Sequence, residues 1–223
     1  KGSKVTVTVP AKGEKKQLVE LAYKNASITF EQFGEKLKKD NARTRGAVEE
    51  ISQALGLENM PERIEAYDIS NIQGFFSVGA MVVFENGMPK RSDYRKFKIK
   101  TVVGANDFAS MQEVLTRRIN HSIKDKMDNK TGGFARLPDL ILMDGGKAQV
   151  KAAKLVLASF GMDIPVCGMF KDDKHRTKGL LYEDREIMLP ANSEGFKLAT
   201  RIQDEVHRFA IEYHRKLRES SQV

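Results

Sequence analysis

The chain has 223 residues, of which 40% are hydrophobic and 30% charged, and its formal net charge is +8. The hydrophobic share suffices for a buried core, and no apolar run approaches the roughly 20 residues that a membrane-spanning helix needs, which excludes a membrane protein. The basic charge favours a polyanionic partner such as nucleic acid. The opening KGSKVTVTVP lacks an apolar signal segment, and the single cysteine, Cys167, lies in an apolar stretch. Both features predict a reducing, cytoplasmic location.

The first 60 residues are predicted to form an appendage. Alternation in KVTVTV predicts a short strand over residues 4–9. Apolar residues at helical spacing predict a helix over 14–40 and a second helix over 44–57. We therefore predict an N-terminal helical arm over 1–60 and a main domain over 61–223.

The main domain mixes strands and helices in a defined order. The pattern predicts strands in RIEAYDIS, SVGAMVVFENG and KRSDYRKFKIK, a helix over 107–126, a strand in DLILMD, a helix over 147–160, a strand in IPVCGMF, a hairpin in GLLYEDREIMLP and a helix over 193–219. Asn86-Gly87 is a strong hairpin signal between the second and third strands. An antiparallel meander followed by alternating helices and strands predicts an α/β fold, an RNase H-like mixed sheet flanked by helices.

Two core strands each carry one acid. Asp68 interrupts the first strand, and Asp144 follows the apolar run of the fourth. These strands are neighbours in an RNase H-like sheet, so the two carboxylates can converge. They would repel each other unless a cation lay between them, and Mg²⁺ or Mn²⁺ suits such an oxygen-rich site. The alternative is that each aspartate caps a turn, Asp68 before Ser70 and Asp144 before two glycines.

The last helix supplies a candidate third group, His207. The segment RIQDEVHRFAIEYHR contains it, at the edge of an apolar stripe. The stripe consists of Ala199, Ile202, Val206, Ala210, Tyr213 and Leu217. A histidine there can bind a metal or move a proton where the helix crosses the sheet. It can equally be a surface histidine next to an Asp-Glu pair, and the spacing leaves both interpretations open.

Further charged residues surround the helix predicted over 107–126. Asp107 occupies the position expected for its N-cap, since aspartate is a preferred cap. Glu113 either faces the acids of the sheet or pairs with Arg117. Arg95, Arg117 and Arg118 are predicted to contact phosphates, with solvated surface charge as the alternative.

Other catalytic motifs find no support. GGKAQ lacks the spacing of a phosphate-binding loop, and Ala148 replaces its hydroxyl residue, which argues against nucleotide hydrolysis. The sequence contains no C-x-x-C, H-E-x-x-H or G-x-S-x-G pattern.

Several long segments resemble one family, in order along the chain. IEAYDISNIQG, YRKFKIKTVVGANDFASMQEVLTRR, LPDLILMDGGKAQ and DEVHRFAIEYHR closely resemble the C-terminal half of the UvrC family, the nuclease component of the excinuclease of bacterial nucleotide excision repair. The opening VTVPAKGEKKQLVELAYKNA resembles the segment just before that family's nuclease domain. The resemblance implies an RNase H-like DNA endonuclease domain that makes the incision on the 5′ side of a lesion.

The resemblance also implies roles for particular residues. Asp68, Asp144 and His207 match an Asp-Asp-His triad that works with a divalent metal, here expected to be Mg²⁺ or Mn²⁺. Asp107 matches a further acid implicated in incision, although its predicted capping position leaves that role open.

The resemblance further implies partners. Lys147 and Arg208 lie in the same motifs and are expected to contact DNA phosphates or to support the site. The substrate would be damaged double-stranded DNA, and UvrB would be contacted mainly outside this segment. The family's GIY-YIG nuclease and helix-hairpin-helix modules are not in the sequence, so we expect the fragment alone to bind and cut DNA weakly. The alternatives are a non-catalytic DNA-binding scaffold with the same fold and an enzyme that cuts RNA–DNA hybrids.

Overall fold

The chain forms two compact units, which meet in sequence between residues 42 and 43. The computed structural model describes residues 9–72, 76–102, 104–172 and 177–220. In the first unit, helix α1 spans Gly13–Asn41, which confirms the helix predicted over 14–40. The strand predicted over 4–9 lies, except for its last residue, outside the described residues.

The second unit, residues 43–223, holds the remaining elements. Its helices are α2 (Ala47–Leu55), α3 (Asp107–Met127), α4 (Lys147–Ser159) and α5 (Glu194–Ser220). Its strands are β1 (Arg63–Ile72), β2 (Phe76–Glu85), β3 (Met88–Pro89), β4 (Arg95–Lys98), β5 (Leu140–Asp144), β6 (Val166–Lys171), β7 (Thr177–Tyr182) and β8 (Arg185–Ile187). Among the helices of the described residues, none is long and apolar enough to cross a membrane.

The described strands form one mixed sheet. Its order is β3-β2-β1-β5-β6-β7-β8, and β4 also pairs with β2. Strand β1 is antiparallel to β2 and parallel to β5, and β5 is parallel to β6. Strands β7 and β8 continue the sheet in antiparallel fashion. This arrangement confirms the predicted mixed sheet, in which an antiparallel meander precedes parallel strands joined by helices.

The third strand, predicted in KRSDYRKFKIK, is shorter than expected: within that segment only β4 (Arg95–Lys98) is a strand. A short 3-10 turn at Arg91–Asp93 occupies the first part of the segment, between β3 and β4. Asp93 is buried there because its carboxylate accepts a hydrogen bond of 2.7 Å from the guanidinium of Arg63 on β1. The inward-facing aspartate ends the strand pairing that the alternating pattern predicted.

Helices cover both faces of the sheet. Glu65 of β1 pairs with Arg118 of α3, whereas Asp68 of the same strand lies beside His207 of α5. Side chains alternate along a strand, so residues three apart point to opposite faces. Helices α3 and α5 therefore pack on opposite sides of the sheet. Helix α4 contacts α3, and α2 contacts α5.

Helix α2 belongs to the folded unit that contains the sheet. It buries Ala47, Val48, Ile51, Ser52 and Leu55 and ends at Gly56, whose φ of 68° is the left-handed conformation that glycine adopts readily. The Glu50 carboxylate accepts a hydrogen bond of 2.6 Å from the backbone amide of Gly195 in α5. The boundary predicted at residue 60 thus lies inside the second unit, because Pro61 marks the approach to β1 and not the edge of the core.

Candidate active site

Strand register brings Asp68 and Asp144 together. Strands β1 and β5 run parallel with Tyr67 level with Met143, so the next residue of each strand is an aspartate. Both aspartates point to the face that α5 covers. Their side chains are only 8% and 6% exposed. The predicted convergence of the two carboxylates is therefore present in the structure.

Helix α5 adds His207 to the pair. Four residues of the predicted apolar stripe are buried against the sheet: Ala199, Ile202, Val206 and Ala210. His207 lies at the edge of this stripe with 52% of its side chain exposed, and its Nδ1 is 3.3 Å from Oδ2 of Asp68. The ligand atoms of Asp68, Asp144 and His207 all lie within 4.8 Å of one another.

The cluster is electrostatically costly without a cation. Burial and the neighbouring charge of Asp144 raise the pKa of Asp68 from 3.8 to about 6, against the opposing effects of His207 and Lys171. Two carboxylate oxygens and an imidazole nitrogen form a donor set that Mg²⁺ or Mn²⁺ accepts. These residues therefore fit a divalent metal ion, which would offset the repulsion between the two aspartates.

Two further side chains hold the Asp144 carboxylate. The ammonium of Lys171 donates to Oδ2 of Asp144 at 3.1 Å. The amide of Gln203 donates to Oδ1 of Asp144 at 2.7 Å and to the carbonyl of Met169 at 3.2 Å. The carbonyl oxygen of Gln203 accepts a hydrogen bond from the hydroxyl of Thr177. Both oxygens of Asp144 are thus engaged by protein donors.

Sequence reasoning missed Lys171 and Gln203. Gln203 lies one helical turn before His207, among the apolar residues of the stripe, and a polar residue there is the signal that could have identified it. Lys171 lies two residues after Met169, which is level with Asp144 in the parallel pairing of β5 and β6. Lys171 therefore shares the face of Asp144, a placement that requires the register to be known.

The family of the chain follows from a direct comparison with known proteins. The UvrC RNase H endonuclease domain family matches residues 52–211. The chain belongs to this family. A second description, the UvrC Ribonuclease H-like domain, matches residues 1–33. The family match confirms the resemblance and, with the mixed sheet, the RNase H-like fold.

Similar individual proteins carry the name of the same family. UvrABC system protein C from Lachnospira eligens is 54% identical over 224 residues, which cover 100% of this chain and 36% of that protein. UvrABC system protein C from Clostridium acetobutylicum is 53% identical over 226 residues, which cover 98% and 36%. The chain thus spans about a third of the length of these curated relatives. Among solved structures, Ciona intestinalis endonuclease V in complex with an inosine-containing 24mer DNA is 12% identical, with a TM-score of 0.44 over 84% of this chain and 99% of that chain.

Within this UvrC-family domain, Asp107 is not the N-cap of α3. The helix begins at Asp107, and the cap is Asn106, whose side-chain oxygen accepts a hydrogen bond of 3.0 Å from the backbone amide of Ala109. Asparagine and aspartate cap helices equally well, so the sequence did not separate the two adjacent residues. Asp107 is not among the three clustered residues in the part of the chain that the structure describes. Its role in incision stays a prediction.

Glu113 adopts the second of its two predicted arrangements. Its carboxylate pairs with Arg117 at 3.0 Å and accepts hydrogen bonds from the backbone amides of Lys100 and Thr101. Partial burial raises its pKa, but the hydrogen bonds from Thr101, Lys100 and Arg117 outweigh that effect and lower the pKa below its usual value. Glu113 therefore fastens the segment between β4 and α3.

Arg118 was wrongly predicted as a phosphate contact. Its side chain is 2% exposed, and its guanidinium lies 2.7 Å from Oε1 of Glu65, which is fully buried. It also donates to the carbonyls of Phe134 and Arg136. A carboxylate inside the core requires a charged partner, and Glu65 has two, Arg118 and, at 3.3 Å, Arg63.

Arg95 and Arg117 are partly engaged by local contacts. The Arg95 guanidinium donates to the carbonyl of Ser92 at 2.8 Å and lies over the ring of Phe134. Arg117 donates to the carbonyl of Lys98 at 2.7 Å. Both side chains keep part of their surface open, so their predicted phosphate contacts stay predictions.

Lys147 and Arg208 are exposed. Lys147 is the first residue of α4, directly after the turn that follows Asp144. Arg208 follows His207 on α5 and pairs with Glu205 at 2.8 Å and with Glu212 at 3.3 Å. Exposed pairs of this kind contribute little to stability, so they leave Arg208 free to exchange partners.

Proposed function

We propose that this domain hydrolyses a DNA phosphodiester in a divalent-metal-dependent reaction and makes the 5′ incision in bacterial nucleotide excision repair. One observation carries the proposal. A carboxylate from β1, a carboxylate from β5 and an imidazole from α5 converge within 4.8 Å. A fold that places two buried acids side by side gives up stability at that point, and metal binding explains why it does so.

The proposed roles follow from the donor set. Asp68, Asp144 and His207 would hold Mg²⁺ or Mn²⁺, and Asp107 is a further proposed participant. When bound, the metal lowers the pKa of a water and offsets negative charge at the reacting phosphate. His207 would take one of two roles, as a metal ligand or as the group that moves a proton, and its Nδ1 lies 3.3 Å from Oδ2 of Asp68.

The proposed substrate is damaged double-stranded DNA. Lys147, Arg208, Arg95 and Arg117 are the proposed contacts to its phosphates, consistent with the net charge of +8. UvrB is the proposed protein partner, contacted mainly by other parts of the longer protein, and the proposed location is the cytoplasm. A non-catalytic scaffold would require none of the three clustered residues, and therefore the cluster favours the enzyme.

The test is a nicking assay on plasmid DNA carrying lesions, with Mg²⁺, with Mn²⁺ and with a chelator. Wild type is expected to nick only with metal. Asp144→Asn and His207→Ala are expected to slow nicking at least about 100-fold. Asp163→Asn, the same chemical change at an exposed aspartate, serves as control. Nicking by the two site variants at the wild-type rate would refute the proposal, and faster cutting of an RNA–DNA hybrid than of damaged duplex would point to the hybrid-cutting alternative.

A further inference from the structure

The two oxygens of Asp144 meet donors of very different character. Oδ1 accepts from Gln203, whose side chain is itself held by Thr177 and which is only 1% exposed. Oδ2 accepts from Lys171, whose side chain is 31% exposed. One contact is therefore made inside the core, and the other is made by a partly exposed cation.

We propose that Lys171 contacts the phosphate that reacts and is a catalytic residue, whereas Gln203 is a positioning residue that fixes Asp144. This inference rests on the proposed function. Without metal, the ammonium of Lys171 offsets part of the negative charge of the aspartate pair. With a divalent cation held by Asp68, Asp144 and His207, Lys171 would no longer be needed to offset that charge, and its ammonium would be available to donate to the phosphodiester.

The placement of Lys171 supports this exchange. Met169 is level with Asp144, which is the last residue of β5, so Lys171 extends beyond the end of that strand on the same face. A lysine ammonium on a four-carbon stem can turn from one anion to another nearby. In hydrolysis, a water oxygen bonds to phosphorus while the bond from phosphorus to the leaving oxygen breaks. The water loses a proton to solvent, the leaving oxygen takes one up, and negative charge grows on the phosphoryl oxygens. The Lys171 ammonium beside those oxygens stabilises the charge without any proton transfer from Lys171.

Lys171 and Gln203 are expected to have opposite effects on the affinity of the site for metal. Lys171 repels a divalent cation held by Asp144, so removing its charge should strengthen metal binding in the absence of DNA. Gln203 keeps Asp144 oriented, so its loss should weaken metal binding. A merely structural role for Lys171 would not produce tighter binding.

The experiment measures Mn²⁺ binding by calorimetry without DNA and nicking at saturating Mn²⁺. Lys171→Met is expected to bind Mn²⁺ about 3- to 10-fold more tightly and to nick about 10- to 100-fold more slowly. Gln203→Met is expected to bind more weakly, about 10-fold or more, with nicking that recovers as Mn²⁺ is raised. Lys178→Met makes the same chemical change at an exposed lysine of β7 and should match wild type.

The possible results distinguish a failure of the proposed nuclease function from a failure of the proposed role of Lys171. A wild-type chain that neither binds Mn²⁺ nor nicks DNA overturns the proposed function and this inference with it. An active wild type with a Lys171→Met variant that binds Mn²⁺ more weakly, or nicks at the wild-type rate, overturns the inference alone. Thermal melts establish that each variant is folded, and Lys171→Gln, with the same expectations, replaces Lys171→Met if the latter is not.

Discussion

The carboxyl group of Asp68 lies in a buried position next to the charge of Asp144. Both effects raise its pKa to about 6. Its ordinary pKa is 3.8, so the folded chain binds this proton more tightly than the unfolded chain does. The free energy of unfolding therefore falls as pH rises from about 4 to about 6, and the loss persists above that range. The site sacrifices stability at neutral pH in the metal-free protein.

The variant Asp68→Asn removes this ionisation. We expect it to raise the free energy of unfolding of the metal-free protein at pH 7.5 by about 1–3 kcal/mol. The gain should shrink towards zero below pH 4, where the wild-type carboxyl is protonated in both states. Urea unfolding in chelator at both pH values checks this, with Asp163→Asn as the exposed control. Equal stability of Asp68→Asn and wild type at pH 7.5 would contradict the expectation.

Arg118 provides a contrast between a buried and an exposed cation. Arg118→Met leaves Glu65 inside the core with Arg63, at 3.3 Å, as its remaining charged partner among the residues that the structure describes. We expect a loss of about 3 kcal/mol in the free energy of unfolding. Arg117→Met, next to it on the partly exposed surface, should cost less than about 1 kcal/mol. Denaturant unfolding of both variants measures the difference, and weakened DNA binding without lost stability in Arg118→Met would restore its predicted role as a DNA contact.

At the scale of single residues, the clustered aspartates could be predicted from the sequence. Lys171 and Gln203, which hydrogen-bond to Asp144, could not. Asp68 and Asp144 could be predicted because an acid that interrupts an apolar strand is conspicuous. His207 could not be decided from spacing, because a residue at the edge of an apolar stripe is compatible with a surface position. Arg118 was mispredicted because its buried partner, Glu65, lies 53 positions away along the chain.

At the scale of elements, the start of α5 depends on α2. The first amides of a helix lack partners within it, and an acidic side chain near that end is favourable. Glu50 of α2 accepts from the Gly195 amide at 2.6 Å, and the hydroxyl of Ser193 accepts from the Phe196 amide at 3.1 Å. Glycine is required at 195 because a Cβ there would lie 2.9 Å from the Cβ of Glu50. The contact fixes the helix that carries His207.

The variant Glu50→Ala leaves the Gly195 amide without this acceptor. We expect the free energy of unfolding to fall by about 1 kcal/mol, the usual effect of a lost helix cap. Glu49→Ala, at the exposed neighbouring position, should change it by less than about 0.5 kcal/mol. Thermal unfolding of the two variants side by side checks this, and equal effects would mean that the contact between α2 and α5 contributes nothing.

Helices with a clear hydrophobic periodicity could be predicted from the sequence. The extent of the third strand and the N-cap of α3 could not. The helices over Gly13–Asn41 and Asp107–Met127 lie within two residues of their predicted bounds. The predicted extent of the third strand was wrong because Asp93 points inward and pairs with Arg63. These two residues are 30 positions apart, and no local pattern encodes their contact. The N-cap of α3 shifted by one residue because Asn106 and Asp107 are chemically interchangeable there.

At the scale of the whole molecule, residues 43–60 belong with the sheet. Helix α2 buries Val48, Ile51 and Leu55 within the core of the second unit. The predicted boundary at residue 60 followed a local break in composition, whereas the packing of α2 on α5 joins Glu50 to a residue 145 positions later in the sequence. Composition alone cannot reveal such a contact.

Two truncated chains test this division. The chain 43–223 retains α2, and the chain 61–223 exposes the core that α2 covers. Burial of three large apolar side chains contributes about 1.5–3 kcal/mol each, so we expect 61–223 to lose roughly 5 kcal/mol of unfolding free energy relative to 43–223. Urea unfolding followed by circular dichroism measures this. Equal stability of the two chains would place the boundary at residue 60 after all.

The proposed function depends on divalent metal binding by Asp68, Asp144 and His207, which come from three elements of the fold. The most direct measurement is a calorimetric titration of Mn²⁺ into wild type and into Asp68→Ala, at pH 7.5 where the carboxyl of Asp68 is ionised. The account predicts that wild type binds one or two equivalents of Mn²⁺ and that Asp68→Ala does not bind at the same concentrations. Equal Mn²⁺ binding by the two chains would mean that Asp68 and Asp144 do not form a metal site, and the non-catalytic scaffold would become the better account.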